Sequence, residues 1–152
     1  MTTLDWSRGE TSHRWSQFLP DRRHFLYLAG SAHAPKDNPT NLILVGSLDS
    51  KGSKLLFHTW SNAIYASGHI LSLRQNTLMA QPFDAERLEL TREAFPIADQ
   101  VGENQLSVLG LSSASQNGVL AYAESTGSQG QLIWVDRSGK SLAPNCGSTL
   151  EE

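Results

Sequence analysis

Long apolar runs are missing from this chain. No stretch approaches the ~20 apolar residues of a helical membrane span, and the opening MTTLDWSRGETSHRW has no basic segment leading into an apolar one. As written, the chain carries neither export signal nor anchor, so a cytoplasmic location is expected. Cysteine is almost missing too: with Cys146 alone, neither an intramolecular disulfide nor a Cys-x-x-Cys metal knuckle can form. Charge of one sign never accumulates. Twelve Lys and Arg are scattered among 15 Asp and Glu, for a formal charge of −3 and a pI near 5.9. The basic stripe that phosphate neutralisation requires is not there, and nucleic acid is not an expected partner.

Amphipathic helices are also scarce. The one helix-like stretch, AERLELTREA at 85–94, alternates Leu88 and Leu90 with charges and suits a strand at least as well. What the chain does have is 39% hydrophobic residues at a mean hydropathy of −0.32 over 152 residues, the balance of a single globular domain with a core. The apolar residues come in short runs: FLYLA at 25–29, LILV at 42–45, LLF at 55–57, ILSL at 70–73, LMA at 78–80, VLAYA at 119–123 and LIWV at 132–135. Each has strand length and is bounded by turn-forming residues. Several are apolar at successive positions, so both faces of the strand must be covered. With no helices to cover them, sheets stacked on sheets remain.

The runs also repeat. A turn followed by an apolar strand occurs as PDRRHFLYLA at 20–29, SGHILSLR at 67–74 and QNGVLAYAE at 116–124. Each is followed by an apolar strand closing on Asp and a polar turn: LILVGSLDSKG at 42–52, TLMAQPFDAER at 77–87 and QLIWVDRSGK at 131–140. Phe25, Ile70 and Leu120 are 45 and 50 residues apart, and Asp49, Asp84 and Asp136 are 35 and 52 apart. Spacings of about 45 residues are those of a propeller blade with loops of unequal length. The three aspartates read as turn formers, since a carboxylate can accept a bond from the backbone two residues on. Ser67-Gly68 and Asn117-Gly118 stand where a short hairpin needs glycine. The predicted buried set is Phe25, Leu26, Tyr27, Ile43, Val45, Ile70, Leu71, Leu120, Tyr122, Ile133 and Trp134.

The segments WSQFLPDRRHFLYLA, NLILVGSLDSKGSKLLFHT, NTLMAQPFDAERLELTREAFPIADQV and NGVLAYAESTGSQGQLIWVDRSGK together resemble the TolB-like, WD40-like propeller region of large bacterial proteins. In many of these the propeller lies C-terminal to a serine/threonine protein kinase domain and a membrane span, which makes it extracytoplasmic. The resemblance covers roughly residues 5–140. It implies an all-β fold, a partial β-propeller of about three four-stranded antiparallel blades over 1–140, with 141–152 an irregular tail. Two departures stand out. The family writes Pro-Asp-Gly where this chain has Pro20-Asp21-Arg22, placing a side chain where glycine eases a positive φ. After Lys140, SLAPNCGSTLEE no longer looks like the next blade, as though the chain were truncated or its reading frame shifted.

Catalytic residues are not expected. There is no GxGxxG, no strand lysine in a VAIK-like context, no DFG and no GxSxG, and His13-Arg14 is followed by Trp15 where a kinase catalytic loop needs Asp. No two histidines among His13, His24, His33, His58 and His69 stand at the helical i, i+4 spacing of a metal pair, and neither metal nor cofactor is expected. The best lead is aromatic: Trp6, His13, Arg14 and Trp15 form a polar, tryptophan-bearing segment suited to a binding rim. The function these readings support is a non-catalytic binding or scaffold module, part of a kinase-associated sensor propeller. Its partner is expected to be protein or peptide, or further blades supplied by self-association. The alternatives are the propeller portion of a prolyl-oligopeptidase-like hydrolase, or a truncated product with no function of its own.

Overall fold

The computed structural model describes residues 2–31, 41–104, 106–115, 117–124, 133–135 and 140–144. A 3-10 turn at Trp6–Arg8 leads into β1 (Glu10–Phe18), β2 (His24–Ser31), β3 (Asn41–Ser47) and β4 (Ser53–Thr59). These four pair antiparallel in chain order as one meander. The second sheet begins in the same way, with β5 (Ala63–Ala66), β6 (His69–Arg74) and β7 (Thr77–Asp84). Its fourth position is filled in two pieces along the free side of β7. β8 (Glu89–Leu90) pairs at Phe83 and Asp84, and β9 (Phe95–Ala98) pairs at Leu78 to Ala80. Between the pieces the chain steps out of register: the Thr91 N–H donates to the Pro82 carbonyl at 3.0 Å, and Gln81 Nε2 donates to the Arg92 carbonyl at 2.9 Å. Pro82 has no N–H to offer, and Pro96 interrupts the partner strand in turn.

Three shorter pairs follow: β10 (Glu103–Asn104) with β11 (Leu109–Gly110), β12 (Ser112–Ala114) with β13 (Leu120–Tyr122), and β14 (Ile133–Val135) with β15 (Ser141–Pro144). Among the described residues there is no α-helix, and no sheet closes on itself. The described fold is all-β and antiparallel: a four-stranded sheet, a second sheet whose fourth position is filled in two pieces, and three two-stranded pairs. Of residues 141–152, expected from the sequence to be an irregular tail, 141–144 pair with β14 as a strand, and 145–152 lie outside the described residues.

Consecutive apolar residues build two cores from one strand, because side chains alternate across a sheet. From β2 and β3, Leu26, Leu28, Ile43 and Val45 point to a core shared with Leu19, Ala63, Ile70 and Phe83. Their neighbours Tyr27, Ala29, Leu42 and Leu44 form a separate cluster on the other face. The second sheet does the same: its other face carries Ala66, Leu71, Leu73, Leu78, Ala80 and Val101, packed by Ala114, Leu120 and Tyr122 of β12 and β13. Each fully buried Leu or Ile contributes about 1.5–3 kcal/mol of transfer free energy.

Six of the predicted core residues, Leu26, Tyr27, Ile43, Val45, Ile70 and Leu71, are buried. Phe25, Leu120 and Tyr122 are only half-buried, a correction with two causes. Phe25 lies near the turn end of its sheet, stacked edge-on against exposed Phe18, and Leu120 and Tyr122 belong to a strand of three residues. The side chains of Ile133 and Trp134 lie outside the described residues.

The turns follow local chemistry. Arg22 sits at φ 59°, a conformation that favours glycine, in a turn closed by its N–H to the Leu19 carbonyl at 2.9 Å. Ser67 and Gly68 both have positive φ, at 48° and 80°, as a tight hairpin requires. Gly118, at φ 88°, closes on Ser115 instead, within a longer loop. Asp84 accepts from the Glu86 and Arg87 N–H groups at 2.9 Å each, and so acts as a turn former. In the β3–β4 turn Ser47 Oγ takes that part and Asp49 binds Arg23; Asp136 lies outside the described residues.

Candidate functional site

β1 and β5 are the first strands of the two meanders, and each is an edge strand of its sheet. The residues along these edges tie the sheets to one another. Gln17 of β1 reaches Tyr65 of β5, with Oε1 accepting from the Tyr65 N–H at 2.6 Å and Nε2 donating to its carbonyl at 3.2 Å. Trp15, two residues earlier, donates its indole N–H to the Ser107 carbonyl at 3.0 Å. Asn62, buried just before β5, donates its N–H to the Val108 carbonyl and accepts from the Gly110 N–H through Oδ1, both at 2.9 Å. First sheet, second sheet and the 103–110 hairpin are thus joined pairwise along their inner edges.

The corner feeding this edge is polar and buried. Ser61 is 0% exposed; its Oγ donates to the Asn62 carbonyl at 3.1 Å and accepts from the Leu73 N–H at 3.2 Å. Thr59 Oγ1 bonds to the Ser61 carbonyl at 2.9 Å. Satisfying these groups is obligatory, since an unpaired buried donor or acceptor costs about 1–3 kcal/mol. The corner is therefore rigid, and it fixes where Asn62 stands.

The four residues of the expected rim do not form one surface. Trp6 is 75% exposed on the 3-10 turn. His13 is mostly buried: its Nε2 donates to Glu10 Oε2 at 3.1 Å and its ring lies 4.8 Å from that of Tyr27. Arg14 is exposed, its Nε donating to Ser12 Oγ at 2.8 Å. Trp15 sits in a bulge of β1 at φ 56°, 39% exposed, turned toward Ser107. Strand alternation and the bulge send the three consecutive residues His13, Arg14 and Trp15 in different directions, and Trp6 stands apart on its turn. Only Trp15 belongs to the inner edge. Glu10, buried at 4% exposure, ties the 3-10 turn to β1 by accepting from the Asp5 N–H at 2.8 Å as well as from His13.

At the opposite end of the first sheet the turns carry an ion-pair network. Arg23 binds Asp49 at two points, 2.8 and 3.0 Å, and His24 Nδ1 donates to Asp21 Oδ2 at 2.5 Å. The His24 imidazole, with help from the His24 and Arg23 backbone N–H groups, holds the Asp21 carboxyl down at about 2. Arg23 likewise lowers Asp49. On the inner hairpin, burial alone pushes Glu103 upward. Among the described residues, no group of three His, Cys, Asp or Glu side chains comes together as a metal site.

What the inner edge offers chemically is hydrogen bonding to peptide backbone. An indole N–H and two primary amides each grip a main-chain N–H or carbonyl, and none of them is placed to transfer a proton or attack a carbonyl. Sequence reasoning missed Gln17 and Asn62, since a lone amide in a strand or corner gives no motif. Compared with family models, with curated proteins and with solved structures, the chain has no match in any of the three.

Proposed function

We propose that this chain is a non-catalytic binding or scaffold module, part of a TolB-like β-propeller of the kind attached to bacterial serine/threonine kinases. The observation that carries the reading is the double use of β2, β3, β6 and β7. Alternate residues of each strand feed different cores, so each sheet is built to have a neighbour on both faces. Radially stacked blades have this requirement, and a two-layer sandwich does not. The third repeat unit is then β12 to β15. The partner is protein or peptide, or further blades provided by other copies of the chain, since an unclosed stack leaves an apolar end face.

Sedimentation across a concentration range, alongside a thermal melt, tests this. Association into a larger species, or completion by a partner chain, is the expected result. A monodisperse monomer melting sharply above about 60 °C overturns the reading of the chain as part of a larger propeller, because a partial stack would then be sufficient by itself. Turnover of ATP with a protein substrate, or of ester and dipeptide substrates, that copurifies with the pure chain overturns the non-catalytic half. Neighbouring DNA read in all frames separates a kinase context, with HRD and DFG upstream, from a hydrolase context with GxSxG downstream.

A further inference from the structure

Residues 106–110 run along the inner edges of both sheets, and their two ends are held in different ways. At one end Asn62 bonds Val108 and Gly110, each at 2.9 Å, from a buried position. Gly110 is itself buried against Leu73, so closely that a Cβ there would lie 2.8 Å from Leu73 Cδ1. Val108 packs on the core between the sheets. At the other end, among the described residues, one hydrogen bond joins the segment to the first sheet, from the indole of Trp15 to the Ser107 carbonyl. Leu106 beside it is 95% exposed and gains almost nothing from its position. The other bonds of Ser107, from its N–H to Asn104 Oδ1 at 3.1 Å and from its Oγ to the Asn104 carbonyl at 3.4 Å, stay within the same hairpin.

We propose that 106–110 is a strap, hinged at Asn62 and latched at Trp15, that covers the inner edge of β1 and swings off it at the latch. The imbalance of forces sets the direction. A single hydrogen bond from a partly exposed donor adds little net stability, because water can replace it, whereas the hinge end combines satisfied buried groups with packing. Trp15 stands in a bulge of β1 at φ 56°, which turns its indole out of the strand's alternation and toward Ser107. Opening frees the indole N–H and ring beside Gln17 on an edge strand. On the reading of the chain as a binding module, an incoming extended peptide then offers Trp15 the carbonyl that Ser107 offers in the closed state. The strap is an internal occupant of that position.

Hydrogen exchange on the free chain, followed by NMR in increasing urea, tests the strap. The Trp15 indole N–H, the donor of the latch itself, is expected to be protected from exchange at least tenfold less than the Gly110 amide. Its rate should not respond to urea, the sign of a local opening, while Gly110 follows the larger openings. In Trp15→Phe, which keeps an aromatic ring and removes the donor, the Ser107 amide should exchange threefold or more faster as its hairpin loosens, with Gly110 and Ile70 unchanged. Equal urea slopes at the indole and at Gly110 in the unsubstituted chain overturn the proposal, as does an unchanged Ser107 or a parallel acceleration of Gly110 and Ile70 in the variant. The first comparison needs no substitution, so it decides even if the variant fails to fold. No partner is present, so a rigid strap leaves the binding reading standing, and failure to bind a partner leaves the strap standing.

Discussion

The side-chain amide of Gln17 grips the main chain of Tyr65 at both its N–H and its carbonyl, at 2.6 and 3.2 Å, across 48 residues of sequence. It does for the edge of β5 what one residue of a neighbouring strand would do, and so joins the first strands of the two sheets without merging them. Replacing Gln17 with Ala leaves both backbone groups to find water at a half-buried site, and stability should fall by about 1–3 kcal/mol. Gln17→Leu keeps most of the volume and should lose nearly as much. Urea unfolding monitored by fluorescence measures both; a Leu variant as stable as the parent would mean that packing, not the amide, carries the tie.

Arg22 points the other way, toward a stabilising change. At φ 59° it occupies a left-handed conformation that costs an L-residue roughly 1–2 kcal/mol. Arg22→Gly relieves that cost, offset in part by the greater freedom of glycine in the unfolded chain. A net gain of up to about 1 kcal/mol is expected in the same urea experiment, with Arg22→Ala giving none.

Gly110 should tolerate no side chain. Its missing Cβ is replaced by Leu73, with Cδ1 at 2.8 Å and Cγ at 3.2 Å from the position a methyl would take. Gly110→Ala is expected to cost about 1–3 kcal/mol by overpacking. The cost should shrink when Leu73 is also shortened to Ala, so a double-mutant cycle with additive losses would show that the two positions do not meet.

Two carboxyls titrate in opposite senses. Asp21 is held at about 2 by His24 and the turn amides, below the ordinary 3.8. Its contribution to stability is therefore present above about pH 4 and is lost as pH falls from there through about 2. Carbon-13 NMR of the carboxyl should show the low midpoint, and His24→Gln should raise it part of the way back, because the backbone donors remain. Glu103, raised by burial, penalises its own ionisation in the folded state. The folded chain is thus favoured below the usual Glu range and loses that advantage as pH rises through the shifted value. Glu103→Gln should accordingly raise the melting temperature at pH 7 and make no difference at pH 3.

Much of the scaffold was readable because it rests on short-range chemistry. The unbroken FLYLA and LILV runs announce strands with two covered faces, and β2 and β3 divide their residues between two cores as those runs require. Pro20-Asp21-Arg22 announces its turn and even its awkward φ. The inner edge was not readable, since it is assembled from contacts 48 and 92 residues apart by side chains whose types are common everywhere. The placement of the four residues of the expected rim escaped for a different reason. Residues adjacent in a strand diverge in space, so His13 goes to Tyr27 and Glu10 while Trp15, turned by a bulge, goes to Ser107. The split at the outer side of the second sheet escaped too, because AERLELTREA shows where Leu90 pairs but not that the register breaks at Pro82.

That split governs how the chain meets others of its kind. A foreign strand laid along the outer side of the second sheet finds two residues of β8, then an excursion, then four residues of β9 that include Pro96. No continuous row of main-chain donors and acceptors is on offer there, so a sheet cannot grow outward rung by rung at that margin. Copies of this chain that meet at that margin must do so face to face, and edge-to-edge pairing is left to β4 of the first sheet.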